Sequence, residues 1–233
     1  MLKCKKFIID WTPKAGCTIV KKIWFDYMDV LNEALKHEIF DETGRLIKGW
    51  VHNFDPIFLK RFGGATSGEL ESNNFIKIKY VRNPYDRAVS SYIHGCLHKL
   101  FENCEYMNPS FYEFLELLIN KKLCINAGGN HWMIQNRNPN IKYDEIIKIE
   151  NLENETKKLN QKYNINLKFN FESSHHVKKK NKIDKFFNVP AFDIKKYREK
   201  QEVPTYDSFY NDEIKEMVYE IYKTDIEAYG YKQ

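Results

Sequence analysis

The stretch Lys5-Lys6-Phe7-Ile8-Ile9-Asp10-Trp11-Thr12-Pro13-Lys14-Ala15-Gly16-Cys17-Thr18, with the seventeen residues IVKKIWFDYMDVLNEAL that follow it, decides how this 233-residue chain folds. Lys5 to Trp11 sets the apolar, β-branched run FIID behind a basic flank and is expected to be a short strand. Thr12 to Thr18 contains Pro13 and Gly16 and reads as a turn. From Thr18 to about Leu35, Ile19, Ile23, Trp24, Tyr27, Met28, Leu31 and Leu35 recur at spacings of three and four, which is one face of a helix. The chain therefore opens strand, tight loop, helix. Such a corner is an anion site, because the first amides of a helix have no intrahelical acceptor and the helix dipole favours negative charge there. Gly16, Cys17 and Thr18 supply those amides, Thr18 adds a hydroxyl and is expected as the N-cap, and Lys14 can reach over the anion. This is not the Walker A pattern, in which Lys and Ser/Thr follow the second glycine; here lysine precedes the loop's one glycine. Taken alone, the segment also reads as an ordinary strand–helix turn.

A second corner follows the same logic. Residues 75–81, FIKIKYV, alternate as a strand does. Arg82-Asn83-Pro84 breaks it, and a helix is expected from Tyr85 or Asp86 to about Phe101, with Pro84 near its start, where proline is tolerated. Arg82 ends the strand and Ser90 lies eight residues on, within the first two turns of that helix. Ligands of α/β folds bind at the carboxyl edge of the sheet. There, Arg82 offers a planar fork suited to a phosphate and Ser90 a further donor. Arg87 reads equally as a surface or structural ion pair.

Outward from these corners, the glycines and Pro56 within residues 44–74 indicate loops around a short helix, Asp55 to Phe62. Ser110 with Glu113 forms a capping box for a helix to Lys121. Tyr143 to Ile149 is expected as a third strand, Asn151 to Tyr163 as an amphipathic helix, and Asn211 to about Glu227 as the last helix, ending before Gly230. Strands alternating with helices indicate the α/β class with a mainly parallel sheet, in one domain spanning residues 1–233. Residues 172–185 are polar and basic and are expected to form a mobile loop.

Composition excludes several classes. Apolar residues are 42 % of the chain and aromatics 15 %, enough for a real core. The net charge of +5 is too small to single out nucleic acid as a partner and is compatible with an anionic cofactor or polymer. The cysteines, at 4, 17, 96, 104 and 124, are odd in number and contain no CxxC, which argues against a zinc ribbon or a thioredoxin-like site. They read as free thiols in a reducing compartment, or with one bridge, such as Cys96–Cys104, in an oxidising one. No apolar run reaches the roughly 20 residues that span a bilayer, and the N-terminal apolar stretch is short for a signal peptide.

The two corners together resemble the sulfotransferases that use 3′-phosphoadenosine 5′-phosphosulfate (PAPS), in particular the Golgi carbohydrate sulfotransferases. PKAGCT resembles that family's 5′-phosphosulfate loop, and YVRNPYDRAVSSY its 3′-phosphate motif. His131-Trp132 with Gln135, followed by IKYDEIIKIENLENE, is similar to a mid-domain block of the family, and YNDEIKEMVYEIYKTDIEAYGY to its closing helix. ESSHHVKKKNK lies where the family often has a His-x-Asn-x-Ser-like loop, with Lys178 in the asparagine's place. The resemblance implies a P-loop-like, mainly parallel sheet flanked by helices. It implies sulfuryl transfer from PAPS to a hydroxyl, with carbohydrate as the acceptor class, adenosine 3′,5′-bisphosphate as product and no metal. Lys14, Ala15, Gly16, Cys17 and Thr18 would hold the 5′-phosphosulfate, and Arg82 and Ser90 the 3′-phosphate.

Sulfuryl transfer needs an aligned hydroxyl, a base for its proton and compensation for charge on the leaving phosphate. Lys14 is the candidate for that compensation. His52, in GWVHNFDPIF, is the candidate base, because it precedes the second strand as the related glycan enzymes' catalytic histidine does; Glu69 and His94 are poorer alternatives. His131 and Trp132 either line the acceptor site or form a packed core pair. His175, His176 and Lys178 to Lys180 either close over the cofactor or form a solvated run. Tyr210, Met217, Tyr219, Tyr222 and Tyr229 read mostly as core and helix packing. Two other functions compete: a kinase-like phosphotransferase sharing the sheet and anion loop, and a non-catalytic module binding polyanions through residues 175–185. The expected location is the cytoplasm, or the Golgi lumen where an anchor accompanies the domain. No nucleic-acid or membrane partner is expected.

Overall fold

Phe7–Trp11 forms the strand its β-branched run predicts, and the rest of the sheet is built beside it. The computed structural model describes residues 1–37, 39–40, 46–47, 51–98, 100–101, 108–122, 131–169, 185–200 and 205–232. The chain divides into two compact units, residues 1–81 with 138–173 and residues 82–137 with 174–233.

The first unit contains a four-stranded sheet. β1 (Leu2–Cys4) lies antiparallel to β2 (Phe7–Trp11) across a two-residue turn, Lys5-Lys6, in which Lys5 has φ 54°. The turn carries none of the Gly or Asn that usually marks a hairpin, so the sequence does not announce β1. α1 (Cys17–Tyr27) and α2 (Leu31–Lys36) follow. The single helix expected over 18–35 is thus two. Asp29, at φ 58°, ends α1, while Val30, Leu31 and Ala34 continue the same apolar stripe into the same core. β3 (Ile39–Phe40) pairs antiparallel with β4 (Leu46–Ile47). α3 (Asp55–Phe62) and α4 (Ser67–Glu71) lead to β5 (Ile76–Val81), which runs parallel to β2. β6 (Glu145–Lys148) pairs parallel with β5, and α7 (Leu152–Tyr163) follows it. The strand order is β1-β2-β5-β6, a mainly parallel sheet of the α/β class.

Alternation puts Phe7, Ile9, Ile78, Tyr80 and Ile147 into one core with Val20, Ile23 and Trp24 of α1, Phe58 of α3 and Leu159 of α7. Trp24 Nε1 donates to Tyr80 Oη at 3.0 Å, which fixes α1 against β5. Trp11 lies opposite Tyr80, so β2 and β5 deliver the chain to the same carboxyl edge of the sheet.

The second unit is helical among the described residues: α5 (Pro84–Leu97), α6 (Phe111–Ile119), α8 (Ala191–Glu199) and α9 (Asp212–Ala228). Ala88, Val89 and Tyr92 of α5, Phe111 and Phe114 of α6, Ile194 of α8, and Ile214 and Tyr222 of α9 form its core. The Ser110–Glu113 capping box forms as expected. Tyr210 and Met217 pack against this core beside buried Tyr222, in keeping with the packing read for that series. Cys4, Cys17 and Cys96 are free thiols; Cys104 and Cys124 lie outside the described residues, as do His175, His176 and all of the basic loop before Lys185 that was expected to be mobile. No described helix is long and apolar enough to cross a membrane.

Candidate active site

The first corner begins where β2 ends. Ala15 N donates to Thr12 O at 3.0 Å, closing a turn in which Lys14 (φ 68°) and Gly16 (φ 73°) both take left-handed backbone. Gly16 is the N-cap of α1 and makes no side-chain cap bond, so the expectation that Thr18 caps the helix is corrected. The left-handed step turns the chain directly into Cys17, placing Thr18 one residue inside α1. A Cβ on Gly16 would lie 3.3 Å from two carbons of Ile149 and 3.4 Å from Ile19. Glycine is therefore favoured here by its φ, and a side chain would also have to displace Ile149 slightly.

Released from capping, the Thr18 hydroxyl meets His52. His52 sits in a 3₁₀ turn, Val51–Phe54, anchored by buried Val51 and Phe54 and running directly into α3. Its Nε2 lies 3.1 Å from Thr18 Oγ1 and 3.7 Å from Cys17 Sγ. Its Nδ1 lies 2.8 Å from Lys21 Nζ. The same ammonium forms an ion pair with Asp55, at the start of α3, and lies 5.3 Å from the centre of the Trp11 ring. Lys21 is buried, its side chain 3 % exposed. Burial raises the Asp55 carboxyl above its ordinary range, while the Lys21 ion pair pulls it back down. The sequence reading reached His52 and missed Lys21 and Asp55. Their signal is positional: Lys21 follows Cys17 by four and Thr18 by three, one turn along the same helix face, and Asp55 follows His52 by three.

The second corner is built on Arg82, the first residue after β5. Its backbone is clamped by the fully buried Gln135 side chain: Arg82 N donates to Gln135 Oε1 at 2.9 Å, and Gln135 Nε2 donates to Arg82 O at 2.8 Å. Gln135 is held in turn by Asp225, whose carboxylate accepts from the amides of Gln135 and Asn136. The Arg82 guanidinium lies over the Tyr206 ring, 5.6 Å from its centre, with Nη2 3.5 Å from Tyr206 Oη and 4.0 Å from Asp86. Asn83 caps α5 by accepting from Tyr85 N, with Pro84 at the first helical position. Ser90 is half-buried in the second turn of α5.

The remaining candidates make other contacts. Arg87 is fully buried: its Nη2 donates to His131 O, its guanidinium lies over the Tyr222 ring, and burial lowers its pKa. These contacts are to a backbone carbonyl and an aromatic ring. Trp132 is buried in the second core, 6.2 Å between ring centres from Phe101 and 5.9 Å from Phe114, which is the core reading of that residue. His131 is half-buried and stacks on His94, which also lies against His98. Glu69 is committed to its capping box with Thr66 and to an ion pair with Lys3. Among the described residues no group of three His, Cys, Asp or Glu side chains is placed to hold a metal ion.

Compared with known proteins, residues 3–232 match the family model described as the sulfotransferase family. No curated protein and no solved structure matches the chain.

Proposed function

The chain belongs to the sulfotransferase family, enzymes that transfer a sulfuryl group to a hydroxyl-bearing acceptor, and we propose that its donor is PAPS and its acceptor a carbohydrate hydroxyl. The observation that carries the donor reading is the first corner: two left-handed residues, Lys14 and Gly16, open the start of α1 at the end of β2, with Thr18 and His52 hydrogen-bonded beside it. First-turn amides, a hydroxyl and the Lys14 cation are the donor set a phosphosulfate requires. Lys14, Ala15, Gly16, Cys17 and Thr18 hold the 5′-phosphosulfate in this reading. Arg82, whose fork is oriented by the Tyr206 ring and whose backbone is clamped by Gln135, holds the 3′-phosphate together with Ser90. The carbohydrate acceptor rests on the resemblance of the PKAGCT and YVRNPYDRAVSSY stretches to the Golgi carbohydrate enzymes.

Bound PAPS supplies the sulfuryl group on a phosphate leaving group. Lys14 and the α1 amides stabilise charge that develops on that phosphate. His52 lies beside Thr18 and receives the acceptor hydroxyl's proton on Nε2. No step needs a metal.

Two measurements test this. Adenosine 3′,5′-bisphosphate is expected to raise the melting temperature of the full chain, and Arg82→Ala to abolish that rise. Transfer from radiolabelled PAPS to a panel of glycans is expected to survive EDTA and to be lost in Lys14→Ala. No thermal shift in the parent protein rejects the donor assignment. Transfer that requires a divalent cation favours the kinase-like alternative.

A further inference from the structure

We propose that Lys21 is a positioning residue for His52: held by Asp55, it sets which ring nitrogen carries the proton and so decides when His52 can accept one. This deepens the proposed role of His52 and rests on it. A neutral imidazole carries one ring proton, and an ammonium can only donate. With Lys21 Nζ 2.8 Å from Nδ1, Nδ1 must offer its lone pair and the ring proton must sit on Nε2. From there Nε2–H donates to Thr18 Oγ1 at 3.1 Å. Having accepted, the Thr18 hydroxyl is left to donate its own proton to another group.

In this arrangement His52 is a donor, and Nε2 has no lone pair to offer an acceptor hydroxyl. The base form needs the ring proton on Nδ1. That requires Lys21 to release Nδ1 and keep only its Asp55 partner, a short step because one ammonium already serves both. Lys21 therefore separates a state in which His52 and Thr18 serve the anion from one in which His52 serves the acceptor. Its burial matters, since water does not compete for the ammonium and the pair acts at a lower effective dielectric than in solvent.

The charged and titratable groups around the ring set the direction of its pH response. α1 contributes Cys17 and Lys21, and α3 contributes Asp55, on which the chain's amino terminus also acts. Behind the turn, His37 packs against the Phe54 ring, and Arg61 lies over it while paired to Glu33. Lys21 is a cation in direct contact with the ring, so removing it eases addition of a second ring proton. Neutralising Asp55 does the reverse by leaving the ammonium unopposed.

The experiment is ¹⁵N NMR of the His52 side chain in the full chain without nucleotide, assigned by loss of the signals in His52→Ala, for the parent protein, Lys21→Met and Asp55→Asn. The parent is expected to show the proton on Nε2. Lys21→Met is expected to shift the ring toward Nδ1–H and raise its titration midpoint by about one pH unit, a typical effect of one neighbouring charge. Asp55→Asn is expected to keep the Nε2 proton and lower the midpoint. The acid limb of kcat/KM should move in the same two directions. A merely structural pair would not move the ring proton from Nε2 to Nδ1 on loss of Lys21 while leaving it on Nε2 in Asp55→Asn. Should Lys21→Met fail to fold, the parent and Asp55→Asn still decide. Nδ1 protonated in the parent, or midpoints unmoved or moved in the same direction in the variants, overturns the proposal. The NMR readout needs no donor, so failure of PAPS binding leaves it standing and its own failure leaves the donor assignment untouched.

Discussion

Gly16→Ala isolates the one backbone feature on which the first corner depends. Gly16 sits at φ 73°, where an L-residue with a Cβ is disfavoured by about 1–2 kcal/mol. The new Cβ would also lie 3.3 Å from Ile149 Cδ1 and Cγ2, tight contacts that side-chain movement of a few tenths of an ångström relieves. The backbone contribution therefore dominates, and the expected loss is about 1–2 kcal/mol. For a chain of this size about 2–4 °C of melting temperature accompanies each kcal/mol, so the melting point should fall by roughly 2–8 °C. Gly68→Ala is the matched control. Gly68 is exposed inside α4, and a Cβ there meets nothing within 4 Å. Removing glycine from such a helix should stabilise the chain by roughly 0.5–1 kcal/mol. Thermal and urea unfolding of the two variants should thus move in opposite directions. Sulfuryl transfer should fall on the order of 10²-fold in Gly16→Ala, the scale of a 1 Å displacement of a positioning group, and stay unchanged in Gly68→Ala. A Gly16→Ala protein that melts at or above the parent temperature would refute the assignment of strain to this residue.

Gly95→Ala places a Cβ 2.4 Å from the buried Phe101 ring, and urea titration should show a loss of about 1–3 kcal/mol from overpacking. Gln135→Glu keeps the acceptor for Arg82 N but sets a carboxylate against Arg82 O, so it should cost about 1–3 kcal/mol and weaken adenosine bisphosphate binding measured by calorimetry. Asp225 gives a pH signature. Burial raises its carboxyl above the ordinary aspartate value of 3.8, more than its amide partners lower it. The folded chain therefore holds that proton to higher pH than the unfolded chain, and stability from this group is full below 3.8 and declines as pH rises through the raised folded value. Unfolding free energies across pH 3–7 should show the gap between parent and Asp225→Asn narrowing as pH rises over that window; a widening gap contradicts the sign.

What could be read from the sequence was local chemistry. The strand, the Gly16 loop, the start of the first helix and the Ser110 capping box each depend on residues within four positions of one another. The break at Asp29 was not legible, because the apolar stripe crosses it without a change of period and no glycine or proline marks it. At the candidate site, PKAGCT and Arg82 were legible as the two strand-to-helix corners, whereas their supports were not. Lys21 reaches His52 across 31 residues, Gln135 reaches Arg82 across 53, Asp225 reaches Gln135 across 90, and Tyr206 reaches Arg82 across 124. Only the tertiary fold makes such pairs: spacing sets Lys21 on the helix face of Thr18, but it does not name His52 as its partner, and nothing in the spacing of Gln135 or Asp225 anticipates theirs.

The alternation of FIKIKYV reads as a strand, but alternation ordinarily means that one face is wet, and parallel strands usually run apolar on both faces. In β5 the second face is buried as well: Lys77 and Lys79 are both largely inaccessible. Lys79 donates to Asp10 Oδ2 at 2.5 Å, its cross-strand neighbour on β2, and Tyr143 donates to the same oxygen at 2.6 Å. Lys77 Nζ donates to Ser72 O at 2.7 Å. These contacts are weak evidence for stability, since burying an ion pair loses much of what the charges gain. They are stronger evidence for register. A slip of one residue would set Lys79 opposite Ile9 or Trp11 and turn the charges into the apolar face. Separating a buried pair costs about 3–5 kcal/mol, which is enough to select the observed alignment. That alignment sets Trp11 level with Tyr80, and with it the height at which the Thr12–Gly16 loop leaves the sheet. The charged face of β5 thus bears at a distance on the loop proposed to hold the phosphosulfate: it lies outside that loop, yet its register fixes where the loop begins.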